Sequence, residues 1–348
     1  MSKITKPLSN HPSRRRLLLG AGAAGAAMLA APAIVRAQGT QRYLKPLVAG
    51  LNAREGDPSY NSIARIPEIL REKYDVEMDI QIHPSSTLGT DLSQLEAVQI
   101  GFIDITSNVT GQFAQFSDAF TFIDLPYAVA DWDHASRVFD SDLWKAQSQK
   151  FADATPLVPL HPVGAGGFRI LWNNGRPTPT PDTVNGLRYR TTSSPAEIAL
   201  IRAWGGNPTP LAWTETYNGL RTGVIEGIHV QPIWTFGFNM FEVLKHGTDV
   251  GGVFAIQFQV LNKNTFNSFS DVIKERFLLA AADAAREASA QDRALEAEFR
   301  QKLIDQGMEI YTPSDAEYRQ WRDAGEGLWG ELAAGIDPAI LEQVVAMR

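Results

Sequence analysis

The chain has 348 residues, with 32 Lys and Arg against 39 Asp and Glu, a formal net charge of −7, and no cysteine. The missing cysteine excludes a disulfide framework, a thiolate nucleophile and a Cys-ligated metal. The acidic balance excludes nucleic acid and anionic lipid as general partners, so any bound anion needs a local positive pocket.

The first 37 residues read as an export segment rather than as fold. Ser13-Arg14-Arg15-Arg16-Leu17-Leu18 follows a polar start and precedes an Ala/Gly/Leu-rich run from Leu17 to Val35, and Val35-Arg36-Ala37 offers small residues for cleavage. This is the pattern of a twin-arginine signal peptide. It predicts passage through the twin-arginine translocase, cleavage near Ala37 and a periplasmic protein. The run also contains "GAGAAG", which fits G-x-G-x-x-G, but no strand precedes it and it carries no dinucleotide signal. Six of the 32 basic residues lie in residues 1–37, which hold no acidic residue, so the remaining chain carries 26 against 39, a net charge of −13. Its length favours two domains.

From there strand and helix alternate. "YLKPLVAGLNA" (43–53) reads as a buried strand. Ile63, Ile66, Ile69 and Leu70 line one face of a helix over 57–74. "DVEMDIQIHP" switches to period two, and Asp91 is expected to cap a helix that Gly101 ends before "FIDITS". This β-α-β-α-β order predicts a parallel, doubly wound sheet. Ligands bind beyond the carboxyl ends of such strands, where Asn52, Arg54, Ser107 and Asn108 fall. A helical stretch ending near Ala152 follows. A second strand-rich region then runs through "GGFRILWNN" and "GLRYRTT", with helices over Pro195–Trp204 and from Thr214, taken as a cap, to Gly223. Two crossings, near 155–170 and 248–262, connect the halves and predict a hinge with a cleft beside it. From Ser270 to about Gly307 the pattern is one long helix or a broken pair, and two more helices close the chain.

Most catalytic chemistry is absent from the sequence. His83, His134, His161, His229 and His246 form no metal-ligand spacing, and each reads as a surface or capping residue. There is no G-x-S-x-G elbow and no phosphate-binding loop. No cofactor and no metal is expected. What remains suits a small carboxylate. Leu187 and Tyr189 take one face of the strand in "VNGLRYRTTSS", and Arg188 and Arg190 take the other. Either a solvated edge or an anion site accounts for two such arginines. Arg169 stands beside glycines that allow close backbone approach. Trp213, Tyr217, His229, Gln231, Trp234 and Phe236 cluster in the next stretch, where aromatic walls with a few polar groups suit a cleft, although Tyr217 and Phe236 also suit a core. Glu215 reads as helix-dipole compensation.

The run "GLRYRTTSSPAEIALIRAWGGNPTPLAWTETYNGLRTGVIEG" resembles the signature of the TRAP-transporter solute receptors (tripartite ATP-independent periplasmic transporters): Gly-Leu-x-x-Arg, a helix, Gly-x-x-Pro-x-Pro, an aromatic-Ser/Thr-Glu-x-Tyr box, then Asp/Glu-Gly. "HPSSTLGTDLSQLEAVQIGFIDIT", "DLPYAV" and "GGFRILWNNGRPTPTPDTVNGLRYR" match as well, so the resemblance covers essentially everything after the export segment. It implies an α/β, two-lobed periplasmic binding protein (a Venus flytrap) with a cleft between two α/β domains, hinge strands and a long C-terminal helix. The lobes are expected at 38–166 plus about 255–295, and at 167–254 plus about 296–348. The resemblance also implies a small organic anion as ligand and TRAP membrane permease subunits as partners. Arg190 matches the arginine that pairs with the ligand carboxylate, Arg169 a second cleft arginine, Trp213 an aromatic against the ligand and Asn52 a polar group from the first lobe. Arg188 sits where a solvent-facing lysine is usual. After the Asp/Glu-Gly the chain is one residue longer than the family pattern, so His229, Val230 and Gln231 share one ligand position, Gln231 being preferred. The aromatics around the clamp suggest an acid with an apolar or aromatic body. A periplasmic enzyme on a similar scaffold and the binding module of a sensor are the alternatives.

Overall fold

The computed structural model describes residues 40–348; the export segment read at 1–37 lies outside them. Helix Pro58–Tyr74 buries Ile63, Ile66, Ile69 and Leu70 against a sheet in which Leu47–Leu51 lies between Ile80–His83 and Ile105–Val109, all three parallel. The registers Leu47↔Ile80 and Ala49↔Ile105 bring the carboxyl ends of these strands to one edge. Phe254–Asn262, buried along its whole length, adds antiparallel to Ile105–Val109, and Leu157–Pro159 and Val163–Phe168 pair with its other side. Ile256, Phe258 and Val260 give it one apolar face, while Gln257, Gln259 and Asn262 are buried polar residues, Gln259 Nε2 donating to Ser59 O at 3.1 Å and Asn262 Nδ2 to Val98 O at 2.8 Å.

The second sheet has the order Asn207–Pro210, Arg188–Thr191, Gly227–Val230, Ile170–Asn173, His246–Thr248, Glu309–Tyr311. Two starts differ from expectation. Helix Asp91–Gln99 is capped by the Thr90 hydroxyl, which accepts from Ser93 N, so Asp91 is its first helical residue and buried. Helix Trp213–Thr222 follows Ala212 at its cap, which places Thr214 inside the first turn. A hydroxyl and a carboxylate compete for a cap, and one residue of register decides which of them is left to face inward.

The chain crosses between the sheets twice, from Val163–Phe168 into Ile170–Asn173 and from His246–Thr248 back into Phe254–Asn262. Arg169 N donates to Val253 O at 3.0 Å, tying the crossings together. Gly166 and Gly167 have φ of +96° and +72°. A Cβ on Gly166 would lie 2.6 Å from Ile233 and 2.8 Å from Gln231, so glycine is required there both by conformation and by space.

Helix Asp271–Asp305 is a single helix of 35 residues, about 50 Å long. It packs first on Pro58–Tyr74 and then on Pro232–Gly237, so it spans both sheets. Its buried stripe of Ala280, Ala281, Ala284, Ala285 and Ala288 lets strand Val163–Phe168 approach closely. There Ser289 Oγ accepts from Gly164 N at 3.0 Å, and the Asp292 carboxylate accepts from Gly166 N. Helix Pro338–Ala346 departs from the expected assignment of about 296–348 to the second lobe. Val344 enters the core built on Leu95, Phe113 and Phe258, and His134 Nε2 donates to Val344 O at 2.8 Å. That core supplies the apolar surface that Ile340, Leu341 and Val344 need.

Candidate functional site

Arg188 and Arg190 leave the same face of strand Arg188–Thr191 but end in different places. Arg188 is exposed; its guanidinium donates to the carbonyls of Gly223 (2.8 Å) and Val224 (3.0 Å) and pairs with Glu226 at 3.4 Å. Arg190 is 4% exposed and lies over the Trp213 ring, 5.4 Å from its centroid, with Nε donating to Leu211 O at 2.9 Å. Among the described residues no carboxylate lies within 4.0 Å of it. Burial lowers its pKa, while the fields of Glu197 and Asp91 favour the cation. Burying a charge without a partner is costly, so the sequence maintains this cation against a penalty.

Arg169, at the first crossing, is committed differently. Its Nη1 donates to Glu197 Oε1 at 2.9 Å, a buried pair, and Glu197 Oε2 accepts from Thr192 N at 2.8 Å. Burial opposes ionisation of Glu197, but Arg169, Arg190 and Thr192 outweigh it and hold the carboxyl below its ordinary range. On the same side of the cluster, burial raises the Asp124 carboxyl to about 7 against the Thr110 hydroxyl and Arg169.

From the first lobe come Asn52, 6% exposed, and Asn108, 1% exposed. Asn52 Nδ2 donates to Asp91 Oδ1 at 3.1 Å and Asn108 Nδ2 to the Asp91 backbone carbonyl at 3.3 Å. Burial raises the Asp91 pKa, opposed by Arg190 and by the amides of Asn52 and Gln112. Twelve residues from both lobes enclose a cavity of about 40 Å³. Of the residues singled out in the sequence, Asn52, Asn108, Arg169, Arg190, Trp213, Val230, Gln231 and Trp234 line it. Trp213 and Trp234 meet edge to face at 5.2 Å, and Gln231 Nε2 donates to Ala165 O at 2.6 Å, fastening the second lobe to the hinge strand.

His229 is the exception. Its ring turns to the opposite face of the sheet, fully buried against Trp204 at 5.1 Å, and both ring nitrogens lack hydrogen-bond partners among the described residues. Burial, reinforced by Arg169, drives its pKa well below 6.5 and keeps the imidazole neutral. His134, expected as a surface or capping residue, is not at the surface: it is fully buried, and its Nδ1 accepts from Ala130 N at 3.0 Å. Arg54 does not line the cavity either; it pairs with Asp57 at 2.8 Å and donates to Gly237 O in the other lobe. Sequence reasoning missed Asp91, Thr192, Glu197 and Gln257. Ser194-x-x-Glu197 has the form of a capping box; Ser194 does cap the helix, but the carboxylate turns to Arg169 instead.

Five buried polar atoms on these cavity-lining residues have no hydrogen-bond partner among the described residues: Arg169 Nε, Trp213 Nε1, Trp234 Nε1, Asn52 Oδ1 and Asn108 Oδ1. Each such atom costs about 1–3 kcal/mol unless something completes it. Among the described residues no group of three or more His, Asp or Glu is placed to hold a metal.

Comparison with known proteins gives the family. The family model described as "Bacterial extracellular solute-binding protein, family 7" (DctP) matches residues 49–335. The 2,3-diketo-L-gulonate-binding periplasmic protein YiaO of Escherichia coli is 28% identical over 76% of this chain and 80% of its own length. The sialic acid-binding periplasmic protein SiaP of Vibrio cholerae is 25% identical over 86% and 92%. A TRAP periplasmic solute-binding protein from Bordetella bronchispeptica, whose crystal structure has density assigned to pantoate, superposes with a TM-score of 0.82 at 26% identity, covering 87% of this chain and 99% of that one. Each of these relatives is named as a binding protein, and two of the three are named for an organic acid. The chain belongs to family 7 of the bacterial extracellular solute-binding proteins, the DctP family.

Proposed function

We propose that this protein is the extracytoplasmic receptor of a TRAP transporter, closing two lobes over one small organic acid and delivering it unchanged to the membrane permease subunits. The observation that carries this reading is Arg190: a buried guanidinium without a carboxylate partner among the described residues, beside a cavity lined from both lobes. A carboxylate there meets the planar fork with two parallel hydrogen bonds. Because the strand and Trp213 hold the side chain, little freedom is lost on binding. Trp213, Trp234, Val109 and Val230 receive the apolar part of the acid, and Gln231 couples its arrival to the hinge through Ala165. Pantoate in the Bordetella relative is an acid of this kind. On this reading the first lobe comprises 40–166 with about 255–295 and helix Pro338–Ala346, and the second 167–254 with about 296–337. A periplasmic location follows from the family; export by the twin-arginine route with cleavage near Ala37 rests on the sequence of residues 13–37.

Native mass spectrometry of protein freshly purified from its periplasm tests the reading. A single co-purified small carboxylic acid, recovered chemically unchanged after hours with the protein, is expected. Conversion of the acid into another compound would establish an enzyme instead.

A further inference from the structure

The cavity is polarised. The lining residues of the second lobe and the hinge carry the spare donors: the Arg190 guanidinium and, without partners among the described residues, Arg169 Nε, Trp213 Nε1 and Trp234 Nε1. The first lobe offers acceptors. Asn52 and Asn108 both spend their amide nitrogens on Asp91, one on its carboxylate and one on its backbone carbonyl. Both partners are acceptors, so neither amide can be reversed, and the orphaned Oδ1 of each is left as an acceptor. The Asp91 carboxylate, 6% exposed, is the third. Charge follows the same division. Arg169 is matched by Glu197 at 2.9 Å, which leaves one guanidinium for one carboxylate. A second carboxylate, at the far end of a short ligand, would meet Asp91 and two carbonyl oxygens, and each of these contacts is repulsive.

We infer that the ligand is a small monocarboxylic acid carrying a hydrogen-bond donor, hydroxyl or ammonium, close to its carboxylate, and that Asp91, with Asn52 and Asn108, receives this donor and rejects dicarboxylic acids. The inference rests on the reading of Arg190 as the carboxylate anchor and adds the opposite pole of the site. A site built to hold a polar group discriminates strongly against an analogue lacking it, because its own buried groups are then left unpaired.

The test uses four acids of four carbons each: butyrate, 2-hydroxybutyrate, 2-aminobutyrate and succinate. Binding is measured by thermal shift and calorimetry up to millimolar concentration. The hydroxy or the amino acid should bind at least about tenfold more tightly than butyrate, with succinate weaker than either. Asp91→Asn should narrow the preference over succinate by about tenfold or more; a general loosening of the fold would weaken all four acids together and leave that ratio alone. The same variant distinguishes the two donors, since an ammonium loses its counter-ion and is weakened more than a hydroxyl. Asn52→Asp, which adds a carboxylate to the acceptor side, should widen the ratio. Succinate binding as tightly as the substituted acids, or a ratio unmoved by Asp91→Asn, overturns the inference. Arg190→Ala in the same panel separates this from the underlying reading: if it leaves every affinity unchanged, the carboxylate anchor itself is misplaced.

Discussion

Arg54 of the first lobe donates to the carbonyl of Gly237 in the second, and its guanidinium lies 5.0 Å from the centre of the Phe238 ring. Asp57, one helical cap away, holds the guanidinium at 2.8 Å. Phe238 stacks in turn on Trp234 in the cavity wall. Arg54 is thus a clasp across the cleft and does not line the cavity.

Removing the clasp should loosen closure without altering what is recognised. Arg54→Ala is expected to weaken binding of every ligand by a common factor, about three- to tenfold for the loss of one partly exposed charged hydrogen bond. Small-angle scattering of the ligand-free variant should show a larger radius of gyration than wild type. A change in ligand ranking would instead make Arg54 part of the recognition site.

His229 predicts the opposite behaviour. Its ring is buried on the far face of the sheet with two nitrogens that have no partner among the described residues, and an apolar side chain of similar volume removes that cost. His229→Leu should leave affinity unchanged within about twofold and leave the melting temperature equal or higher. A tenfold loss of affinity would place His229 in the site after all.

Asp292 links the hinge to pH. Burial raises its carboxyl to about 7, opposed by the Gly166 N–H, whereas in the unfolded chain it titrates near 4. The folded state therefore holds this proton more tightly. Its stabilisation is complete below about pH 4 and is lost as pH rises through about 7. Chemical denaturation at pH 5 and pH 8 should show wild type losing stability relative to Asp292→Asn, by roughly 1–4 kcal/mol across that window. Equal slopes for the two proteins would contradict the assignment.

The parts of the site legible in the sequence were those set by local pattern. Asn52 and Asn108 follow from parallel strands ending at one edge, and Arg190 from alternation along a strand beside a helix start rich in aromatics. The residues missed depend on packing between distant segments. Asp91 and Glu197 both begin helices, where an acidic residue is ordinary, and only the folded chain shows what their carboxylates face. His229 and Gln231 are not separated by sequence because strand alternation would place both on one face; the strand ends at Val230 and Gln231 already stands at the cap of the next helix. The return of helix Pro338–Ala346 to the first lobe is of the same kind: its apolar face is readable, its destination is not.

The pair Arg188 and Arg190 tests the central claim most directly, since they share a strand and a side-chain type and differ in what surrounds them. With the acid recovered from the native protein, isothermal calorimetry should give Arg188→Ala an affinity close to wild type. Arg190→Ala should bind at least about a hundredfold more weakly, since removing one member of a buried ion pair costs roughly 3–5 kcal/mol by leaving the other charge unpaired. Wild-type affinity in Arg190→Ala, or the greater loss in Arg188→Ala, would contradict the account.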